Sequence, residues 1–327
     1  MLIVERLQTD PYFNIAAEEY LLKNLNEDCF MLWQNEPSVI IGKHQNTLAE
    51  INLSLIRQLN VPVIRRVSGG GTVYHDLGNL NFSFIKQGQK GKLIDFSQFI
   101  QPIIGALNEM GLAAQKERKN DIRINGYKVS GNSEHVHRNM VLHHGTLLFN
   151  SDLGMLNEII RSNIHKFNDK SVKSVRSKVG NILDFLKDPI SLAEFRRRII
   201  GHISLLTPES KHYSLTNEDI SGINELANRK YRTWDWNYGY SPVYTFENRV
   251  TYNGIEYAIW IKVKDGVIED HAITRDNNIP IIREDVKKIL AGSKHSYDEI
   301  KDQILLLKQK GESLTFDPNI LLDLLFK

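Results

Sequence analysis

Two adjacent arginines and three consecutive glycines form the first group of residues that could bind an anion. They lie in residues 61–79, VPVIRRVSGGGTVYHDLGN, where two residues, Val67 and Ser68, separate Arg65 and Arg66 from the glycines. A glycine has no Cβ, so main-chain N–H groups can approach an anion closely there. A tight hairpin bend would explain the glycines alone, but the two guanidinium groups favour a phosphate site. Neither the Walker motif GxxxxGK[ST] nor a GxGxxG fingerprint before a helix is present.

A second group of polar residues follows at 119–131, KNDIRINGYKVSG. A two-residue turn at Asn125-Gly126 predicts four cross-strand pairs: Ile124 with Tyr127, Arg123 with Lys128, Ile122 with Val129, and Asp121 with Ser130. Side chains alternate along strands, so Arg123 and Lys128 would face each other on one polar surface. Like charges in that position destabilise a hairpin unless Asp121 or a bound anion offsets them. A solvated polar face with an ordinary ion pair is the alternative interpretation.

Four histidines come next, namely His135, His137, His143 and His144. The sequence has no HExxH motif and no carboxylate at zinc-like helical spacing beside them, which argues against a metal site. His143 and His144 are neighbours on a predicted strand and must point to opposite faces. Only one of them can therefore line a pocket shared with Lys128.

The elements that must position these residues follow from periodicity, caps and turn signals. Helices are predicted at 11–25, 52–60, 95–110, 151–161, 191–206 and 217–231, with Asn52 as an N-cap and Pro102 as a kink or late start. Strands are predicted at 29–35, 38–45, 61–66 and 81–86 and repeatedly between about 115 and 149. After Gly239 and Pro242, three strands with tight turns (249–252, 255–263, 267–274) and two helices (283–292, 296–310) form a smaller unit. The predicted domains are residues 1–246 and 247–327.

Composition sets limits on the class of protein. The 327 residues are 41% hydrophobic and 24% charged with a net charge of +2, so charge gives no reason to expect nucleic acid or membrane as a partner. The chain lacks an apolar run of about 20 residues and a signal-peptide layout. Cys29 is the single cysteine, which excludes an internal disulfide and a cysteine-based metal cluster. We expect a cytoplasmic monomer.

Five motifs in order resemble those of the lipoate–protein ligase A family. They are RRVSGGGTVYHDLGN, KND…KVSG, HHGTLL, KSVRSKVGNI and WDWNYGYSP, and together they span almost the whole chain. The resemblance implies an α+β fold: a catalytic domain like those of biotin ligases and class II aminoacyl-tRNA synthetases, with mixed β-sheets flanked by helices, and a small α+β C-terminal domain. It also implies activation of lipoate with MgATP to lipoyl-adenylate. The lipoyl group would then pass to a lysine of lipoyl domains in 2-oxoacid dehydrogenases and of the glycine-cleavage H protein.

The resemblance also assigns roles to individual residues. Lys128 matches the family's central catalytic lysine, which contacts both the lipoyl carbonyl and the α-phosphate. The ATP contacts it implies are Arg66, Gly71, Thr72, Val73, Tyr74, Asn79, Asp121 and Lys128, with Asp121 also a Mg²⁺ ligand. The lipoate contacts it implies are Gly70, Gly71, Lys128 and His144. The family often has GRND where this chain has RKND, so Lys119 changes the charge near the nucleotide.

Two other classes of function compete with this interpretation. An ATP-independent octanoyl- or lipoyltransferase of the same fold would need an exposed thiolate for a thioester route, whereas Cys29 lies in a predicted buried strand. A transferase that uses preformed lipoyl-adenylate has overlapping motifs. A biotin-ligase-like nucleic-acid-binding relative could use the basic residues between 161 and 178, but the chain has no helix-turn-helix extension. That basic segment is predicted to be a solvated loop, or else to fold over the adenylate or contact an acidic lipoyl domain.

Overall fold

The structure is a computed structural model and describes residues 1–88, 93–118, 120–160 and 163–327. The chain forms two compact units. The first comprises residues 1–43, 61–158 and 174–233, and the second comprises 44–60, 159–173 and 234–327. These units are not divided at 246/247, because a single strand, Tyr244–Tyr252, runs through that point. Packing defines these units and says nothing about activity. The division into a catalytic and an accessory domain therefore remains a prediction.

Helices and strands alternate irregularly along the chain. The helices are α1 Pro11–Asn24, α2 Thr47–Glu50, α3 Leu53–Leu59, α4 Phe96–Glu109, α5 Leu153–Ile159, α6 Leu192–Leu206, α7 Asn217–Leu226, α8 Glu284–Leu290, α9 Tyr297–Gln309 and α10 Pro318–Phe326. The strands are β1 Leu2–Glu5, β2 Cys29–Trp33, β3 Ser38–Ile41, β4 Val63–Arg65, β5 Val73–His75, β6 Asn79–Gln87, β7 Ala114–Glu117, β8 Asp121–Ile124, β9 Tyr127–His137, β10 Met140–Leu148, β11 Phe167–Asp169, β12 Lys211–Tyr213, β13 Tyr244–Tyr252, β14 Ile255–Lys264, β15 Val267–Arg275 and β16 Ile279–Pro280. Asn52 caps α3 as predicted, since its side chain accepts from the N–H of Leu55. Pro102 lies inside α4, so this helix does not start late.

The first unit is built on a mixed eight-stranded sheet in the order β12-β1-β2-β6-β10-β9-β8-β7. Strand β1 pairs in parallel with β12 and β2, and the other neighbours are antiparallel. Apolar side chains of α4 and α6, including Phe99 and Phe195, pack with Phe82 and Phe84 of the sheet in one buried core. Burying one such side chain stabilises the fold by roughly 1.5–3 kcal/mol. The α+β class with mixed sheets and flanking helices is confirmed.

A small three-stranded sheet, β4-β3-β5, carries the glycine stretch in the same unit. Strand β3 is parallel to β4 and antiparallel to β5. The chain between β4 and β5 is therefore a turn held at both ends by the same central strand. This sheet fixes the position of the residues that follow Arg65.

The hairpin of β8 and β9 differs from its predicted register after two pairs. Ile124 pairs with Tyr127 and Arg123 with Lys128 as predicted, but a shift between Ile122 and Arg123 changes the rest. Val129 is the extra residue of this bulge and is fully buried in the core. A bulge turns the strand locally, which the side-chain pattern alone does not predict. The predicted pairs Ile122 with Val129 and Asp121 with Ser130 are therefore wrong.

The second unit has a five-stranded sheet, β11-β13-β14-β15-β16, and its own apolar core with α8, α9 and α10. The Asn253-Gly254 turn joins β13 and β14 with both residues at positive φ, as expected for this hairpin. Helix α10 was not predicted, although Asp317 caps it and Pro318 occupies its first turn. Across the described ranges, none of the helices has the length and hydropathy needed to cross a bilayer.

Candidate active site

The guanidinium of Arg66 organises the glycine loop, which we define as residues 69–72. Arg66 Nη2 donates to the carbonyl oxygens of Gly69 at 2.6 Å and Gly71 at 2.8 Å. Arg66 Nη1 donates to the carbonyl of Ile40, and Nε donates to Ser68 Oγ at 3.0 Å. Burial lowers the pKa of Arg66 to about 10, so the group remains charged at neutral pH. Arg66, predicted as a phosphate contact, therefore lies behind the loop and holds its backbone.

The loop conformation depends on glycine at one position. Gly70 has φ of +91°, outside the range that other L-residues adopt without strain. Its neighbours Gly69 and Gly71 are not in that region, and at Gly69 an added Cβ would meet no atom within 4 Å. Glycine is required at position 70 both by its φ and by space, since an added Cβ would lie 3.0 Å from Arg66 Nη2.

A buried polar network lies behind Arg66. His144 Nε2 is 2.6 Å from Ser68 Oγ, and His144 Nδ1 is 3.0 Å from both carboxylate oxygens of Glu18. Glu18 also accepts from the Ser83 hydroxyl on β6. Burial by itself raises the pKa of Glu18, but the His144 imidazole and the Ser83 hydroxyl outweigh it and hold the pKa below its usual value. His144, predicted as a lipoate contact, is thus one side chain away from the glycine loop.

Lys128 is placed by the bulged hairpin with its ammonium over Gly131. Lys128 Nζ is 2.8 Å from Asp121 Oδ1, and 25% of the lysine side chain is exposed. A Cβ at Gly131 would lie 3.2 Å from this nitrogen, so glycine leaves the space that the lysine occupies. Arg123 Nη2 lies 3.4 Å from the other Asp121 oxygen. Asp121 thus offsets both cations, as the sequence suggested, and leaves Lys128 partly exposed to a ligand.

Two segments bring the glycine loop and Lys128 into one site. Ser133, five residues after Lys128 on β9, donates through Oγ to the carbonyl of Gly69 at 2.8 Å. On the other side, Ser174 Oγ accepts from the N–H of Thr72 at 3.0 Å. Four residues after Ser174, the carbonyl of Lys178 accepts a hydrogen bond from the N–H of Lys128 at 2.8 Å. The glycine loop, the start of β9 and residues 174–180 therefore border one region.

The remaining predicted ATP contacts lie on or next to the small sheet. Val73 and Tyr74 belong to β5, and Tyr74 pairs with Val39 of β3. Burial raises the pKa of Tyr74 to about 12, so its hydroxyl stays protonated. Asn79 begins β6 and is fully buried, with its Nδ2 donating to Asn81 Oδ1 at 2.8 Å. The backbone of 72–74 is continuous with the glycine loop, whereas the Asn79 side chain lies inside the protein.

His143 points to the opposite face of β10 from His144, as predicted. Its Nδ1 is 2.9 Å from Glu134 Oε1 and its Nε2 is 3.1 Å from Asn132 Oδ1. Burial lowers the pKa of His143 well below its usual value. Across the described parts of the chain, no group of three His, Cys, Asp or Glu residues is arranged to hold a metal ion. Asp121 offers a single carboxylate, which suits only a Mg²⁺ ion held mainly by substrate phosphates.

Two lysines of the basic segment between residues 161 and 178 make specific side-chain contacts, which its composition does not suggest. Lys173 Nζ is 2.6 Å from Asp169 Oδ1, and Lys178 Nζ lies 4.0 Å from the ring centre of Tyr127. Val175 is 75% exposed between them. Arg161 and Lys119 lie outside the described residues.

Sequence reasoning missed four side chains that build the site: Glu18, Ser68, Ser133 and Ser174. Glu18 and its neighbour Glu19 are charged residues within an otherwise apolar part of α1, and this pattern is a signal for buried, partnered carboxylates. Serines such as Ser133 and Ser174 carry no comparable signal, since their contacts depend on distant segments of the chain.

Most of the mixed sheet and the strand–glycine loop–strand unit lie in the part of the chain that matches a lipoyl ligase catalytic domain. Residues 10–204 match the family model described as lipoyl protein ligase A/B catalytic domain. Lipoate–protein ligase 1 of Staphylococcus aureus is 42% identical over 298 residues, which cover 90% of each chain. A mitochondrial lipoyl amidotransferase of Homo sapiens is 33% identical over 317 residues, or 90% of this chain and 82% of that protein.

A solved structure agrees with these sequence relationships. It is a bipartite lipoate protein ligase of Thermoplasma acidophilum, studied with its E2 lipoyl domain. It is 26% identical with a TM-score of 0.62, and the match covers 73% of this chain and 96% of that one. The chain belongs to the lipoyl protein ligase A/B family.

Proposed function

We propose that this protein is an ATP-dependent lipoate–protein ligase. It activates lipoate with MgATP to lipoyl-adenylate and transfers the lipoyl group to a lysine of an acceptor domain. The name of the S. aureus relative supports the overall activity. The observation that carries the proposal is the convergence of Lys128, the glycine loop and residues 174–180 on one region.

The first half-reaction joins two anions, and the site supplies positive charge and donors for them. A lipoate carboxylate oxygen forms a bond to the α-phosphorus of ATP, and pyrophosphate leaves. Lys128 is partly exposed and rests on Asp121, so its ammonium can follow charge from the carboxylate to the phosphate. Arg66 holds the carbonyls of Gly69 and Gly71 behind the loop, which leaves loop N–H groups facing outward for phosphate oxygens.

Asp121 would be the protein ligand of a Mg²⁺ ion bound to the nucleotide, and the ion would neutralise phosphate charge. Asp121 has a carboxylate of the type that Mg²⁺ prefers, and this carboxylate already lies beside Lys128. Val73, Tyr74 and Asn79 complete the proposed nucleotide contacts. His144, with Gly70 and Gly71, borders the proposed lipoyl carbonyl end.

In the second half-reaction the amine of an acceptor lysine forms an amide bond to the lipoyl carbonyl, and AMP leaves. We propose lipoyl domains of 2-oxoacid dehydrogenases and the glycine-cleavage H protein as acceptors. The T. acidophilum relative was studied with its E2 lipoyl domain, which supports the first of these. The proposed site lies wholly within residues 1–246, the predicted catalytic domain.

A lipoyl transferase that does not use ATP is the second candidate, because the human relative is named an amidotransferase. A route through a cysteine thioester would require Cys29. This thiol is fully buried in β2, and burial raises its pKa to about 12. A buried thiol with so high a pKa is a poor nucleophile at neutral pH.

The ligase and the transferase differ in the substrate they require: the ligase uses lipoate and MgATP, and the transferase uses a preformed lipoyl donor. The protein is incubated with a lipoyl domain and either lipoate plus MgATP or chemically prepared lipoyl-adenylate. The ligase releases pyrophosphate only in the mixture with lipoate and MgATP, and it increases the domain's mass by one lipoyl group in both mixtures. Modification from lipoyl-adenylate alone, without pyrophosphate release from lipoate and ATP, would contradict the ligase and support the transferase.

A further inference from the structure

A chain of buried hydrogen bonds connects Glu18 on α1 to the glycine loop. The Glu18 carboxylate lies 3.0 Å from His144 Nδ1, and His144 Nε2 lies 2.6 Å from Ser68 Oγ. Arg66 Nε donates to the same hydroxyl oxygen at 3.0 Å, while its Nη2 donates to two carbonyl oxygens of the loop. All four side chains are buried. The contacts therefore run without a break from a carboxylate to the loop backbone.

For a His144 ring that carries one proton, the chemistry of these groups assigns the positions of the protons. A carboxylate can only accept, so the proton of His144 faces Glu18 on Nδ1. Arg66 can only donate, so Ser68 Oγ accepts from it and has one proton left to donate. That proton meets His144 Nε2, which is an acceptor in this tautomer. Every donor in the chain then has an acceptor.

Without the Glu18 carboxylate, no acceptor would hold the His144 proton on Nδ1. A proton on His144 Nε2 would turn the ring into a donor toward Ser68, in competition with Arg66. The negative charge of Glu18 also favours the buried guanidinium, since burial lowers the pKa of Arg66 and the charge of Glu18 opposes that shift. Both effects loosen Arg66 when Glu18 is absent.

The orientation of Arg66 decides which way the loop peptides face. In a trans peptide the carbonyl of one residue and the N–H of the next point in opposite directions. The Gly69 and Gly71 carbonyls face Arg66, so the N–H groups of Gly70 and Thr72 face away from it. The Thr72 N–H indeed donates to Ser174 Oγ on the other side at 3.0 Å. An anion would meet these outward N–H groups, and at Thr72 it would replace Ser174 Oγ as the acceptor.

We propose that Glu18 is a positioning residue for nucleotide binding, acting through His144 and Ser68 on Arg66 and thereby on the outward N–H groups of the glycine loop. This inference rests on the proposed function for the identity of the anion, ATP. It assigns Glu18 no contact with the nucleotide.

The first test measures ATP affinity by calorimetry, with a non-hydrolysable ATP analogue, in full-length variants. Glu18→Ala is expected to raise the Kd about tenfold, the effect of weakening one or two hydrogen bonds to a charged group. Glu18→Gln keeps one oxygen that can accept from His144 Nδ1 and should stay within about threefold of wild type. The matched control is Glu19→Ala, which removes the adjacent buried carboxylate, whose partners are Lys23, Lys230 and Tyr231. It should lower stability but leave the Kd unchanged.

A double-mutant cycle tests whether Glu18 acts along the proposed path. Ser68→Ala interrupts the chain between His144 and Arg66 and should weaken ATP binding by a similar factor. The double variant Glu18→Ala/Ser68→Ala should then be little weaker than either single variant. Additive losses would overturn the inference. So would an unchanged Kd in Glu18→Ala, or an equal loss in Glu19→Ala.

The tautomer can be measured without any ligand. The ¹⁵N shifts of the His144 imidazole should show a protonated Nδ1 and an unprotonated Nε2 in the wild type, and Glu18→Ala should change this state. An unprotonated Nδ1 in the wild type would overturn the inference. If wild-type protein binds no nucleotide, the proposed function fails, and this spectrum still decides the hydrogen-bond assignment separately.

Discussion

Alanine substitutions at the three consecutive glycines should differ sharply, although the positions are chemically alike. Gly70 has φ of +91°, which costs an L-residue about 1–2 kcal/mol. An alanine Cβ there would also lie 3.0 Å from Arg66 Nη2, which holds two loop carbonyls. Weakening one charged hydrogen bond adds roughly 1 kcal/mol. Gly70→Ala should therefore lower the free energy of unfolding by about 2–3 kcal/mol.

Gly69→Ala is the matched control for this prediction. Its φ is not in the left-handed region, and an added Cβ meets no atom within 4 Å. Its stability should stay within about 0.5 kcal/mol of wild type, as for other substitutions away from packed or strained positions. Gly71→Ala brings a Cβ to 3.2 Å from Ser174 Oγ, so we expect it to weaken nucleotide binding more than stability.

Urea denaturation followed by tryptophan fluorescence measures the stability of the three variants, and the nucleotide Kd is measured on the same preparations. Equal loss of stability in Gly69→Ala and Gly70→Ala would refute the loop geometry. So would a Gly70→Ala variant as stable as wild type.

Four further predictions follow from individual side chains. Lys128→Ala should abolish pyrophosphate release with a change in thermal midpoint of only a few degrees, because this partly exposed ion pair contributes little stability; normal turnover in a folded variant would remove Lys128 from the site. Arg66→Ala should raise the KM for ATP more than that for lipoate, since the glycine loop loses its internal donor, and the reverse order in steady-state kinetics would contradict this. Cys29 should resist alkylation in the native protein and react only after denaturation, which mass spectrometry detects; rapid native labelling would revive a thioester route. Burial raises the pKa of Glu19, but Lys23 and Lys230 outweigh burial and lower the pKa to about 2. The ionised carboxylate therefore stabilises the fold above about pH 4.5, and this contribution is lost as the pH falls toward 2. The difference in unfolding free energy between wild type and Glu19→Gln should shrink over that range, and a difference that grows would contradict the prediction.

Local signals in the sequence predicted local structure well. Asn52 caps α3 through its own side chain, and the Asn125-Gly126 turn sets the first two pairs of its hairpin. Asn253-Gly254 likewise joins β13 to β14. Each of these features is determined by residues within a few positions of one another, so turn and capping chemistry is sufficient.

Features that depend on distant packing were not predictable in this way. The bulge at Val129 arises because that side chain fills the core beneath the sheet, and it changes which residues face Lys128. Glu18 and His144 are 126 residues apart, and nothing in either local sequence indicates their contact. Arg66 was correctly placed beside the glycine loop, yet its direction, toward loop carbonyls, depends on the buried Ser68 and His144.

A structure with lipoyl-adenylate bound tests the central claim most directly. The account predicts that the phosphate oxygens contact Lys128 Nζ and the N–H of Thr72, with Ser174 Oγ displaced from that N–H. Adenylate bound at a region remote from Lys128 and the glycine loop would contradict it.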